Sequence, residues 1–147
     1  MITKGITKEF DSDLHDKYDG IGKSLVISYF RNKLKIDARE NSNEYGVDVV
    51  LYRNDKPIGF AEVEVRNSWY SDVFPYDTLN VPCRKEKLLK NELPTYFFSI
   101  NKLMTKMFCC TAEEVLRSEI RENKNKYVRE KEFFYKVPVK NLKLISI

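Results

Sequence analysis

Asp48, Glu62, Glu64 and Arg66 are the residues of this chain best placed to do chemistry. They lie in two short stretches, Glu44–Tyr52 and Gly59–Arg66, that read as strands joined by the polar turn Arg53-Asn54-Asp55-Lys56-Pro57. Side chains two apart along a strand share a face. Glu62, Glu64 and Arg66 therefore point one way, and Ala61, Val63 and Val65 the other. Pairing of the two strands as a hairpin brings Asp48 to the Glu62 and Glu64 side. Carboxylates grouped on a rigid sheet suit a hard divalent cation, and like charges held so close call for a counter-ion. By the same alternation Ile58 and Phe60 fall on the Glu face. That face is then partly covered, and a covered carboxylate needs a partner. The plainer reading is a solvated polar face on a half-exposed sheet.

The surrounding elements must hold these residues in place. Asp11-Ser12-Asp13 offers an N-cap. Tyr18, Ile21, Leu25, Val26, Tyr29 and Phe30 recur at helical spacing, so a helix is expected from about Leu14 to Lys33. Gly20 and Gly22 weaken its first turns by roughly 1 kcal/mol each against Ala, and a start near Gly20 is the alternative. Leu34 to Arg39 reads as a first strand and Asn41-Ser42-Asn43 as a loop. Residues 67–76 form a long aromatic loop without a clear period. Pro82 suits the first turn of a helix carrying Arg84 to Lys90, which Asn91 and Pro94 close. Thr95 to Ile100 reads as a central strand and Met104 to Cys109 as another. Thr111-Ala112-Glu113-Glu114 has capping-box spacing and opens a helix to about Glu119. Glu132 to Val139 reads as a late strand, placed at an edge by Pro138. This order predicts an α/β or α+β fold with a mixed sheet.

Composition narrows the chemistry. At 147 residues one domain over 1–147 is expected, and nine Tyr, nine Phe and Trp69 argue against disorder. The apolar runs are too short for a membrane span, and Met1 to Gly5 lacks a signal-peptide core; a cytoplasmic protein is the expectation. Three Cys, two of them adjacent, do not make a disulfide framework. One His leaves no Cys/His zinc site, and His15 has no nucleophile elbow nearby. The five Gly form no phosphate-cradling loop. The net charge of +4 is mild, but Arg84, Lys85, Lys87 and Lys90 cluster, as do Arg121, Lys124, Lys126, Arg129 and Lys131. A polyanion fits these runs; interspersed Glu leaves a solvated surface as the other reading.

The order and the motifs together resemble the PD-(D/E)XK nuclease superfamily. Its core is a helix, a meander whose second strand bears Asp and third bears Glu-x-Lys, then a helix and a strand. Gly46-Val47-Asp48-Val49-Val50 is similar to the Asp motif, and Glu62-Val63-Glu64 to the Glu-x-Lys element. The resemblance covers about residues 14–101 and leaves 102–147 as additions. It implies a restriction-endonuclease-like three-layer core with a mixed central sheet. Two departures stand out: Glu64 occupies the usual Lys position, as in some active type II restriction enzymes of the superfamily, and the Pro before the Asp is missing. The alternative register Glu64-Val65-Arg66 puts Arg, a poor general base, in the Lys position.

The resemblance implies Mg²⁺-dependent hydrolysis of phosphodiester bonds in DNA, with Mn²⁺ able to substitute. Asp48 and Glu62, with the carbonyl of Val63, are the implied metal ligands. Glu64 would orient or deprotonate the attacking water, or help hold a second ion. Asp19 is the choice, over His15 and Asp16, for a further acidic group from the first helix. Arg66, Trp69, Arg84, Lys85 and Lys87 are the expected nucleic-acid contacts. Trp69, Tyr70, Phe74 and Tyr76 could stack on bases or form a small core under their loop. Arg84 to Lys87, at a helix start, suit a phosphate. The size fits a phage or mobile-element protein, or one half of a homodimer cutting both strands. A nuclease-fold domain that binds nucleic acid or protein without cutting is the competing expectation.

Overall fold

The structure, a computed structural model, describes the backbone of residues 12–43, 46–123 and 132–147, and their side chains from Tyr18 onward except Asn123. The side chains of His15 and Asp16, and the basic residues Lys124, Lys126, Arg129 and Lys131, lie outside what is described.

Helix α1 spans Ser12–Asn32 and runs through both of its glycines. Gly22 has a packing reason. A Cβ there would stand 2.9 Å from Val65 Cγ2 and 3.4 Å from Val63 Cγ1, so the missing side chain lets α1 settle onto the sheet. Val26 and Phe30, one turn apart, are buried against it.

The main sheet holds β1 (Asp37–Glu40), β2 (Val49–Arg53), β3 (Lys56–Arg66), β5 (Thr95–Asn101), β6 (Lys106–Thr111) and β9 (Lys143–Ser146), in the spatial order β1-β2-β3-β5-β6-β9. Only β3 and β5 pair in parallel, so the sheet is mixed. Asn54 and Asp55, both at positive φ (51° and 62°), turn β2 into β3. Two successive left-handed residues match the twist of a tight hairpin, and Asn and Asp tolerate that conformation best after Gly.

A second sheet, in the order β4-β8-β7, comprises β4 (Thr78–Pro82), β8 (Glu132–Pro138) and β7 (Glu119–Asn123). With the short helices α2 (Glu86–Leu89) and α3 (Ala112–Leu116) it covers the face of the main sheet opposite α1. The result is three layers: helix, six-stranded sheet, and a smaller sheet with two short helices. The α1 side buries Val49, Ala61, Val63, Phe98 and Ile100. The other side buries Phe97 and Cys110 against Leu79, Val81, Val115 and Val137. Phe97 and Phe98, adjacent on β5, thus serve opposite cores, as a strand buried on both faces requires.

Several expectations need correcting. Asp48 lies just outside β2, which begins at Val49. Ile58 belongs to the α1 side and not to the Glu face, because the β2–β3 register slips between Leu51 and Tyr52, pairing them with Gly59 and Pro57. A bulge of this kind reverses the alternation. Pro138 does not mark an edge: β8 is the middle strand of its sheet, and Pro138 is its last residue. The described residues after 101 are integral, since β6 and β9 complete the main sheet and β7 and β8 build the second. Strands β4, β7 and β9 were not foreseen. The capping box at Thr111 is present, with Glu114 N–H donating to Thr111 Oγ1 at 3.1 Å.

Candidate active site

Asp48 is positioned by its backbone and by one oxygen of its own carboxylate. Asn41 grips the chain on either side: its N–H donates to the Asp48 carbonyl at 2.9 Å and its Nδ2 to the Val47 carbonyl at 2.9 Å. Where β2 has left the ladder, Asp48 Oδ2 takes over as the acceptor for Val63 N–H, at 2.8 Å. A carboxylate oxygen that receives a backbone N–H is fixed in one orientation. Its other oxygen, Oδ1, faces the Lys23 ammonium of α1 at 3.8 Å.

Glu62 stands on the covered face of β3, in register with Phe97 of β5. It is 4% exposed. Oε2 accepts from Lys85 Nζ at 2.7 Å, and Oε1 is enclosed without a hydrogen-bond partner. Burial pushes the Glu62 carboxyl up to about 7; the Lys85 ammonium opposes this, while the charge and direct contact of the Asp48 carboxyl add to it. Asp48 and Glu62 are therefore neighbours with unequal surroundings, one tied to the backbone and one buried beside a lysine.

Lys23 sits between three carboxylates: Asp19 at 3.4 Å, Glu40 at 3.6 Å and Asp48 at 3.8 Å. Burial works to lower its pKa, but Asp19, Asp48 and Glu40 together outweigh this and hold it above the usual lysine value. Asp19 thus joins the site through Lys23.

Glu64 is engaged elsewhere. Its Oε2 accepts from Arg66 Nη2 at 2.7 Å, Arg66 Nε at 3.1 Å and Ser99 Oγ at 2.8 Å. Arg66 also donates to the Asn80 carbonyl of β4 at 2.7 Å. That network ties the central strands to the second sheet, and Arg66, expected to be free for a phosphate, is occupied within it. Among the described residues no group of three or more His, Cys, Asp or Glu stands close enough to hold a metal ion; Asp48 and Glu62 stand together as two.

Of the expected nucleic-acid contacts, Lys85 sits on Glu62, at the end of a 3-10 turn spanning Cys83–Lys85. Arg84 is largely exposed and pairs with Glu132 at 2.9 Å. Lys87 is exposed. Trp69 cannot stack on a base: it is fully buried, with its ring 4.8 Å from Phe108 and 5.3 Å from Phe74. The satellite-core reading of the aromatic loop holds for Trp69 and Phe74, whereas Tyr70 and Tyr76 are exposed.

Sequence reasoning missed Lys23, Glu40 and Asn41. The spacing of Asp19 and Lys23, four apart on a helix, was a readable signal for an ion pair. Nothing local signals that Glu40 and Asn41, across the sheet, close on the same place. The assembled site holds two adjacent carboxylates, one buried oxygen without a hydrogen-bond partner, and two ammonium groups that each already face a carboxylate.

No family model matches the chain, and no curated protein matches it. Among solved structures the chain is similar to D212, a nuclease from a fusselovirus, at 18% identity and a TM-score of 0.46, over 91% of this chain and 88% of that one.

Proposed function

We propose that the protein is a metal-dependent nuclease that hydrolyses phosphodiester bonds in DNA, with Asp48 and Glu62 as its metal ligands. The observation that carries the reading is the Glu62 carboxylate: buried, beside Asp48, with Oε1 unpartnered. Ionising an oxygen enclosed without a donor is costly, which is why the Glu62 carboxyl is pushed up to about 7, and a divalent cation would satisfy the ionised form. Hard cations take oxygen ligands, and Mg²⁺ is commonly held by one or two carboxylates and several waters. The residues present fit that demand. Asp48 Oδ1 and Glu62 Oε1 are the oxygens not tied to a protein N–H, and the Val63 carbonyl is the further ligand the motif resemblance implies. Mn²⁺ would substitute.

Bound there, the cation supplies Lewis-acid polarisation of a phosphate oxygen and a lowered pKa for the attacking water. The chain does the rest. Val63 N–H and Lys85 orient the two carboxylates. Glu64 acts through Arg66 and Ser99, holding β3 and β5 to the second sheet. Arg84 and Lys87 present exposed cations next to Lys85 for the backbone of the polyanion.

A second reading has its own support. Glu64 stands where the resembled family places Lys, and its Oε2 is taken up by Arg66 and Ser99. A nuclease-fold domain that binds nucleic acid without cutting fits this. The test is cleavage of plasmid, linear, single-stranded and branched DNA with Mg²⁺ or Mn²⁺, beside Asp48→Ala and Glu62→Ala. Cutting that needs metal and is lost in both variants is the expected result. A folded wild type that cuts none of these substrates refutes the nuclease.

A further inference from the structure

The two lysines of the site contact its carboxylates in different ways. Lys85 makes one short bond, 2.7 Å, to Glu62 Oε2, the oxygen beside the unpartnered Oε1. Lys23 makes three looser approaches, of 3.4 to 3.8 Å, to Asp19, Glu40 and Asp48. The first geometry is that of a hydrogen bond that fixes a carboxylate; the second is that of a charge resting in a negative hollow. At Asp48 the oxygen it approaches is Oδ1, since Oδ2 is held by Val63 N–H.

We infer that the lysines divide the work of the metal site. Lys85 is a positioning residue that stays on Glu62 Oε2 and turns Oε1 toward the ion. Lys23 is a resident counter-ion on Asp48 Oδ1 that the ion displaces. This rests on the reading of Asp48 and Glu62 as metal ligands. Metal uptake is then a cation exchange within the fold, and Asp19 and Glu40 receive the displaced ammonium. Both carboxylates lie in reach of Lys23 without rearrangement of the backbone, since it already contacts them.

The two roles give opposite signs. Removing a competing charge strengthens metal binding, whereas removing an orienting partner weakens it. Mn²⁺ binding is measured by calorimetry on the full chain at one pH, for wild type, Lys23→Met, Lys85→Met and Lys85→Arg, with circular dichroism to confirm folding. Lys23→Met should bind about fivefold more tightly, in line with the loss of one part-exposed ion pair. Lys85→Met should bind about tenfold more weakly, and Lys85→Arg should restore most of the loss by donating to Oε2. Shifts of the same sign in both Met variants, or none in either, overturn the inference while leaving the nuclease reading intact. Binding with the expected opposite shifts in a protein that cuts no DNA supports the inference and removes the nuclease reading. If neither wild type nor Lys23→Met binds Mn²⁺, both fall.

Discussion

Replacing Glu62 by Gln separates the burden of a buried charge from the rest of the fold. The Glu62 carboxyl is pushed from an ordinary 4.5 to about 7, first by burial. Its folded value lies above its unfolded value, so the native state holds the proton more tightly. The stability this proton contributes is fully present below about pH 4.5. It is lost progressively as pH rises to about 7, and nothing more is lost above that. At 1.36 kcal/mol per unit the difference amounts to roughly 3 kcal/mol between pH 4.5 and 8. Gln keeps the size of the side chain and cannot ionise. Lys85 loses its charged partner in the variant, but its pull on the Glu62 carboxyl is already contained in the value of about 7. The variant should therefore gain on wild type by roughly 3 kcal/mol between pH 4.5 and 8, read from urea unfolding at half-unit steps. For a chain of this size that corresponds to about 6–12 °C in melting temperature. A bound divalent cation should close much of the gap at pH 8 in wild type and leave the variant unmoved. A stability difference that stays flat from pH 5 to 8 would refute the argument.

Other outcomes follow from the packing and the chemistry. Gly20→Ala meets open space and Gly22→Ala meets Val65 Cγ2 at 2.9 Å, so urea unfolding should show the first stabilised by roughly 0.5–1 kcal/mol and the second destabilised by about 1–3 kcal/mol. Arg66→Met takes the guanidinium from Glu64, which keeps only the Ser99 hydroxyl, and from the Asn80 carbonyl; it should lose about 2 kcal/mol of stability, less than a fully enclosed pair because some solvent reaches it, and unfolding curves matching wild type would show the network to be idle. Burial pushes the Cys109 thiol up to about 11 and the Cys110 thiol to about 12. Since the thiolate is the reactive form, neither should react with iodoacetamide at pH 8 in the native protein, and both should react in urea, as read by mass spectrometry.

The parts of the fold that announced themselves locally are those whose periodicity matches one exposed and one buried face. Helix α1 is of this kind, while the tight turn at Asn54-Asp55 and the capping box at Thr111 are legible from residue type. Thr78-Leu79-Asn80-Val81 also alternates, but it follows a loop full of aromatics that masked it, and β9 is too short to stand out from its surroundings. The displaced Ile58 shows the limit of alternation, because a one-residue bulge cannot be seen without the partner strand. At the site, Asp48 and Glu62 were legible as a pair since both sit on one hairpin. The engagement of Glu64 was not: it depends on Ser99, 35 positions away along the chain, and on Arg66, which the Asn80 carbonyl holds from 14 positions away. The roles of Lys23 and Lys85 were hidden for the same reason, one arriving from the helix layer and the other from the opposite layer.

The parallel pairing of β3 with β5 has a consequence for how the molecule comes together. The connection between them, residues 67–94, carries β4 and the turn that delivers Lys85. Parallel neighbours form only after such a long excursion has been closed, which makes them among the slower contacts in a fold. Lys85 reaches Glu62 through that same closure. A nascent or misfolded chain can form the β2–β3 hairpin, with its two carboxylates, before this happens. It is expected to gain the Lys85 contact to Glu62 only when the centre of the sheet is complete, so that this pair of layers is joined late in folding.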